Sequence, residues 1–280
     1  MIFGRVALQL TVGVGILFAA SAAFAFQREF RDLGGERPTE LGPDALDPAE
    51  FVFGRFMYPS GGFGGFRRGG GDWRNYAPTQ GWGNDYPAAD RHLIIALRRL
   101  TTINARGAEQ PVNLEDGDDV FNWPFLFAGR TTNISLTDEM TDKLREYLNR
   151  GGFFIADDMW GRSEHQAILD LVERLYPDKE LVELGDNDEV MHTVFDLNGR
   201  YQIIGAWGAN SGFTRPFDGV SYDPHWRGVF DDKGRMLLAI WLNSDTADSW
   251  EWADVPDYPE RLSALGFRIV INHILYTMTH

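Results

Sequence analysis

The chain has 280 residues, 44% of them hydrophobic and 14% aromatic, enough to bury the core of one large globular domain. A net charge of −15 and the absence of cysteine exclude disulfides, thiol nucleophiles, and a nucleic-acid or anionic-lipid partner held by charge. The acidity suits cations, basic proteins or neutral sugars instead.

Residues 1–25 hold one charge, Arg5, ahead of the apolar run "VALQLTVGVGILFAA" and then "SAAFAFQ", where Ala23 and Ala25 supply the small residues that signal peptidase accepts. The pattern predicts a signal peptide cleaved after Ala25 and a periplasmic or secreted chain whose charge becomes −16 once Arg5 is gone. The membrane is reached only if that segment stays uncleaved as an anchor, because no later stretch is apolar enough to span a bilayer. Residues 26–50, charged and rich in Pro and Gly, read as a leader, and residues 51–280 as a single domain. "FVFGRFMY" (51–58) predicts the first strand. A glycine-rich loop over 60–83 follows, with Phe63, Phe66, Trp73 and Trp82; it reads either as a floppy surface loop or, if ordered, as one held by a ligand or partner.

"DYPAADRHLIIALRRLTTI" predicts a helix capped by Asp85, with Pro87 in its first turn and Leu93, Leu97 and Leu100 on the inner face. "PFLFAGR" (124–130) is a buried strand, and "SLTDEMTDKLREYLNRGG" a helix that turns Met140, Leu144, Tyr147 and Leu148 inward and stops at Gly151 and Gly152. "FFIAD" is a second buried strand, and "EHQAILDLVERLY" a helix aligning Ile168, Leu171, Val172 and Leu175. Strand and helix alternate, and the strands are continuously apolar. The fold class is therefore α/β, a mostly parallel sheet with helices on both faces. "WRGVF", the turn "DDKG" and "RMLLAIWLN" add an antiparallel hairpin, and "ERLSALGFRIVINHILYTMT" a closing helix.

Ligands of such sheets bind outside the carboxyl ends of the strands, where this sequence puts Tyr58, Arg130, Asp157 and Asp158. Two adjacent carboxylates need water, donors or a cation, so Asp157 and Asp158 are either a structural strand end or the floor of a site for a divalent cation such as magnesium or calcium. If the strand runs through residue 158, only one of the two faces the site; if it stops at Ala156, a turn aims both at it. No other cofactor is indicated. "HExxH", G-x-S-x-G and the phosphate-loop and dinucleotide fingerprints are all missing. Trp160, Trp207, Trp226, Trp241, Trp250 and Trp252 lie near Asp, Asn or Gly, a composition shared by carbohydrate clefts, protein interfaces and ordinary cores.

"FVFGRFMY", "WGNDYPAADRHLIIALRRLT", "LREYLNRGGFFIADD" and "SWEWADVPDYPERLSALGFRIVINHILYTMTH" together resemble the bacterial family catalogued as domain of unknown function 4159 over about residues 51–279. That family is similar to the class I glutamine amidotransferase-like fold, a flavodoxin-like arrangement. The resemblance marks Arg55, Tyr58, Trp82, Asp85, Tyr86, Pro87, Asp90, Gly151, Gly152, Asp157 and Asp158 in this chain. Without cysteine, glutaminase chemistry is excluded. Family members fused to membrane-anchored envelope proteins imply a cell-surface complex. The expected function is thus a non-catalytic component that binds an envelope protein or a carbohydrate ligand through Arg55, Tyr58, Asp85, Tyr86, Asp90, Asp157, Asp158 and Trp160. The alternative is a carboxylate- or metal-dependent hydrolase of a sugar or envelope polymer. It would use Asp157 or Asp158 with a second acid from Asp85, Asp90 or Asp245.

Overall fold

The computed structural model describes residues 30, 32–35, 37, 40–60, 72–77, 81–211 and 221–280. The expected signal peptide, and Phe63 and Phe66 of the glycine-rich loop, lie outside them. Seven strands form one sheet: β1 (Phe53–Met57), β2 (Gln110–Asn113), β3 (Phe125–Ala128), β4 (Phe153–Met159), β5 (Leu181–Glu183), β6 (His225–Phe230) and β7 (Met236–Leu242). The helices are α1 (Ala88–Leu100), α2 (Asp138–Asn149), α3 (Gly161–Leu175), α4 (Ala206–Ser211), α5 (Thr246–Glu251) and α6 (Glu260–Thr279).

The strand order is β2-β1-β3-β4-β7-β6-β5. The first five pair parallel, while β6 runs antiparallel to β7, and β5 to β6. Numbered along the chain, the five parallel strands have the 2-1-3-4-5 order of flavodoxin-like doubly wound sheets, with the β5–β6 pair inserted before the last. The predicted α/β class and hairpin are both present. Two strands escaped the sequence reading: β2, "QPVN", and β5, "LVE", neither of which offers an apolar run.

Successive strand side chains point to opposite faces, so each strand feeds two cores. On one face, Phe53, Phe125, Phe127, Phe153 and Trp241 pack under Leu93 and Leu97 of α1, Trp250 of α5 and Ile269 and Ile274 of α6. On the other, Leu126, Phe154, Ala156 and Ile240 pack under Met140 and Leu144 of α2 and Ile168 and Leu171 of α3. Each large apolar side chain fully buried this way contributes about 1.5–3 kcal/mol, and neighbouring rings such as Phe127 and Trp250, 5.1 Å apart, add a little more.

Local chemistry sets the helix ends. Thr137 caps α2 by accepting from the Met140 amide at 3.2 Å, and Gly151, at φ 110°, ends the turn that follows. Two expectations for α1 fail. Asp85 is not its cap: the cap position falls on Pro87, and Asp85 sits one turn earlier in a left-handed conformation, φ 61°. Leu100, the last residue of α1, is 53% exposed, whereas Leu93 and Leu97 are buried.

Candidate functional site

Asp157 and Asp158 stand at a bulge. In the β4–β7 pairing Ala156 lies opposite Ile240, but Met159 lies opposite Leu242. Two residues of β4 therefore face the single residue Trp241, and Asp158 absorbs the excess in the left-handed region, φ 58°. The strand continues through both aspartates, and the bulge breaks the alternation that would have sent them to opposite faces.

Their environments differ. Asp157 is fully buried, and its Oδ2 accepts from the backbone amides of Thr246 and Ala247 at 2.8 and 2.9 Å, anchoring the first turn of α5. Its Oδ1 has no hydrogen-bond partner. Burial raises the carboxyl pKa to about 7, against the pull of those amides. Asp158 accepts from the Trp160 indole N–H and is pushed up to about 8 by burial, opposed by the Trp160 bond and by Arg130 and reinforced by Asp157 and Asp248.

Asp158 opens into a half-open cleft of about 250 Å3 at the carboxyl rim of the sheet. Asp85, Glu164, Asp245 and Asp248 share its walls, with Arg130 the only cationic side chain among the described lining residues. Asp245 caps α5 by accepting from the Asp248 amide at 3.2 Å, and Asp248 Oδ2 accepts from the Ala206 amide at 2.7 Å. The chain passes between these two acids at Gly205, where a Cβ would lie 2.6 Å from Asp245 Oδ2 and 2.8 Å from Asp248 Oδ2, so any larger residue would push the two carboxylates from their places. Asp85 receives the Asn84 amide on Oδ1 at 2.6 Å. Burial holds Asp85, Asp245 and Asp248 above the ordinary carboxylate range, and for Asp85 the charges of Asp248, Glu251 and Asp158 add to it.

The other residues singled out in the sequence divide between this cleft and the core. Asp85, Asp158 and Trp160 line the cleft. Tyr58 lies beside it, at the switch point between β1 and β3, where its hydroxyl donates to the carbonyls of Gly129 and Arg130 at 2.6 and 3.0 Å and ties the two strand ends together. Arg55 and Asp90 are fully buried and form a two-bond ion pair that fastens α1 to β1, with the guanidinium 5.1 Å above the Phe127 ring. Tyr86 is buried among Tyr76 and Trp82. Of the tryptophans, Trp226, Trp241 and Trp250 belong to the core, whereas Trp207 on α4 is 71% exposed at the cleft. Asp248 and Glu251 went unnoticed in the sequence. The signal was the spacing of three in "DTADSWE", which brings Asp245, Asp248 and Glu251 onto one side of a short helix.

No curated protein matches the chain at a significant level. The sequence pattern of one family, described as a domain of unknown function, fits residues 75–278 and so takes in α1, strands β2 to β7 and the described lining of the acid-lined cleft. The chain belongs to the domain of unknown function 4159 family.

Proposed function

We propose that this chain is an exported cell-envelope component, amidotransferase-like in architecture, that binds a hydroxyl-rich carbohydrate in the acid-lined cleft. The observation that carries this reading is the exposed indole of Trp207 beside Asp158, Asp245 and Asp248. An indole exposed beside carboxylates offers a flat apolar face on which a sugar ring stacks while its hydroxyls donate to the carboxylates. The remaining rim supports the same use: Arg130 offers donors to ring and hydroxyl oxygens, and Trp160 walls the cleft while holding Asp158.

Calorimetric titration with a panel of envelope oligosaccharides tests it. Trp207→Ala is expected to weaken binding by about tenfold or more, equal to about 1.4 kcal/mol, and Asp158→Asn to weaken it as well. Absence of binding by every oligosaccharide, or binding indifferent to both substitutions, rules the reading out.

A second reading is hydrolysis of the bound sugar. It is favoured by Asp158, whose pKa of about 8 keeps it protonated at neutral pH, the state a general acid needs beside other carboxylates. Release of reducing ends by the native chain, lost in Asp158→Asn, is the expected sign; binding without release leaves the protein a lectin-like module.

A further inference from the structure

Beneath the cleft floor, one carboxylate oxygen each from Asp85, Asp248 and Glu251 converge, all within 4.8 Å of one another. We propose that these three residues form a divalent-cation site suited to calcium, a site that does not depend on the carbohydrate reading. Calcium takes about six to eight oxygens and commonly several carboxylates at once, whereas magnesium keeps most of its waters and is held by one or two carboxylates, so three converging protein carboxylates favour calcium. Asp248 is held in place for this by the Ala206 amide at 2.7 Å.

A second observation points to the same occupant. Asp85 Oδ2 is out of contact with solvent and meets no hydrogen-bond donor, although its sister oxygen is satisfied by Asn84; the Asp85 side chain instead approaches the Asp248 carboxylate, which has no proton to give while ionised. Buried carboxylate oxygens are rarely left so, and an ion or a bridging water is the usual reason. The Arg55 charge acts on Asp85, but its donors are spent elsewhere. Arg55 spends Nε and Nη2 on Asp90 and directs Nη1 at the Asn84 carbonyl, 3.3 Å away. An organic ammonium fits less well than a bare ion, because Glu251 is 6% exposed and lies deeper than the cleft walls. The charges of Asp158 and Asp245, which both act on Asp85 or Asp248, add to the negative field at the site.

The test is calorimetry of the full chain, stripped with chelator and titrated with calcium or magnesium chloride. One calcium per chain is expected, with a dissociation constant near the 10−4–10−3 M of extracellular calcium modules and weaker binding of magnesium. Saturation at a hundred times that constant should raise Tm by about 5–10 °C. Glu251→Gln and Asp85→Asn should each weaken calcium binding at least about tenfold, while Asp254→Asn, an exposed acid paired with Arg37, should leave it unchanged. Crystals soaked in terbium decide the point even where a variant does not fold. An anomalous peak among Asp85, Asp248 and Glu251 supports the site. No saturable heat up to about 10 mM, a peak elsewhere, or binding that survives both substitutions overturns it in favour of a proton shared between Asp85 and Asp248. Carbohydrate binding measured in chelator stands or falls separately.

Discussion

Truncating Arg55 to alanine is expected to cost about 3–5 kcal/mol of stability, the largest loss foreseen for a single polar substitution in this chain. Both partners of the Arg55–Asp90 pair are fully buried, and the Asp90 carboxyl has a pKa of about 6, raised by burial even with the guanidinium 3.0 Å away. Without Arg55 that carboxyl keeps its desolvation and loses its counter-charge. Urea unfolding should show the loss, with Tm falling by roughly 6–20 °C for a domain of this size. The double variant Arg55→Met/Asp90→Leu should recover most of it, since apolar residues of similar volume replace a buried pair at little or no cost. A loss below about 1 kcal/mol in Arg55→Ala would mean that water reaches the pair and that α1 is not fastened through it.

The second large effect is a stability that falls as pH rises. Asp90, Asp157 and Asp158 have folded-state values of about 6, 7 and 8, all above the roughly 3.9 of an unfolded aspartate. Between about pH 4 and pH 8 the folded chain therefore binds more protons than the unfolded one, and the slope of stability with pH is negative. The stability these groups lend is complete below the unfolded value and is lost through each folded value in turn, by at most about 1.4 kcal/mol per pH unit per group. In chelator, unfolding free energy should be about 2–5 kcal/mol greater at pH 5.5 than at pH 8. Asp158→Asn, which removes the highest of these three values, should flatten the upper part of the curve. The surface acids Asp44, Asp72 and Asp231 are shifted the other way, below the ordinary value, and oppose the trend only in stronger acid. A stability that climbs toward pH 8 would show that the cleft acids are solvated or neutralised by an ion that the chelator does not remove.

How much of this was legible in the sequence depends on whether the signal was local. "FFIAD" and "PFLFAG" betray buried parallel strands because both of their faces are covered, and "DEMTDKLREYLN" betrays a helix because only one of its faces is. β2 and β5 had no such signature. They lie at the ends of the sheet, where "QPVN" and "LVE" need not be apolar. Asp157 and Asp158 drew attention by adjacency at a strand end, but the bulge that turns Asp158 into the cleft is a property of its register with β7, some eighty residues away in sequence. Arg55 and Asp90 were expected among the ligand-binding residues on the family resemblance; that they instead satisfy each other inside the core is visible only once α1 lies across β1. Tryptophan composition could not separate Trp241, locked into a strand buried on both faces, from Trp207, presented to solvent by a six-residue helix.

The two ends of the sheet carry a further implication. At one, β2 is four residues long and includes Pro111, which has no amide hydrogen to give. At the other, β5 is three residues long, and its Glu183 is drawn aside into ion pairs with Arg227 and Arg200. Neither margin presents a run of free backbone donors and acceptors long enough to template an incoming chain, so edge-to-edge polymerisation and strand exchange have no foothold among the described residues. A protein that meets this domain by extending its sheet would find nothing to zip onto. Recognition must instead pass through side chains, and the most distinctive of those are gathered at the mouth of the cleft.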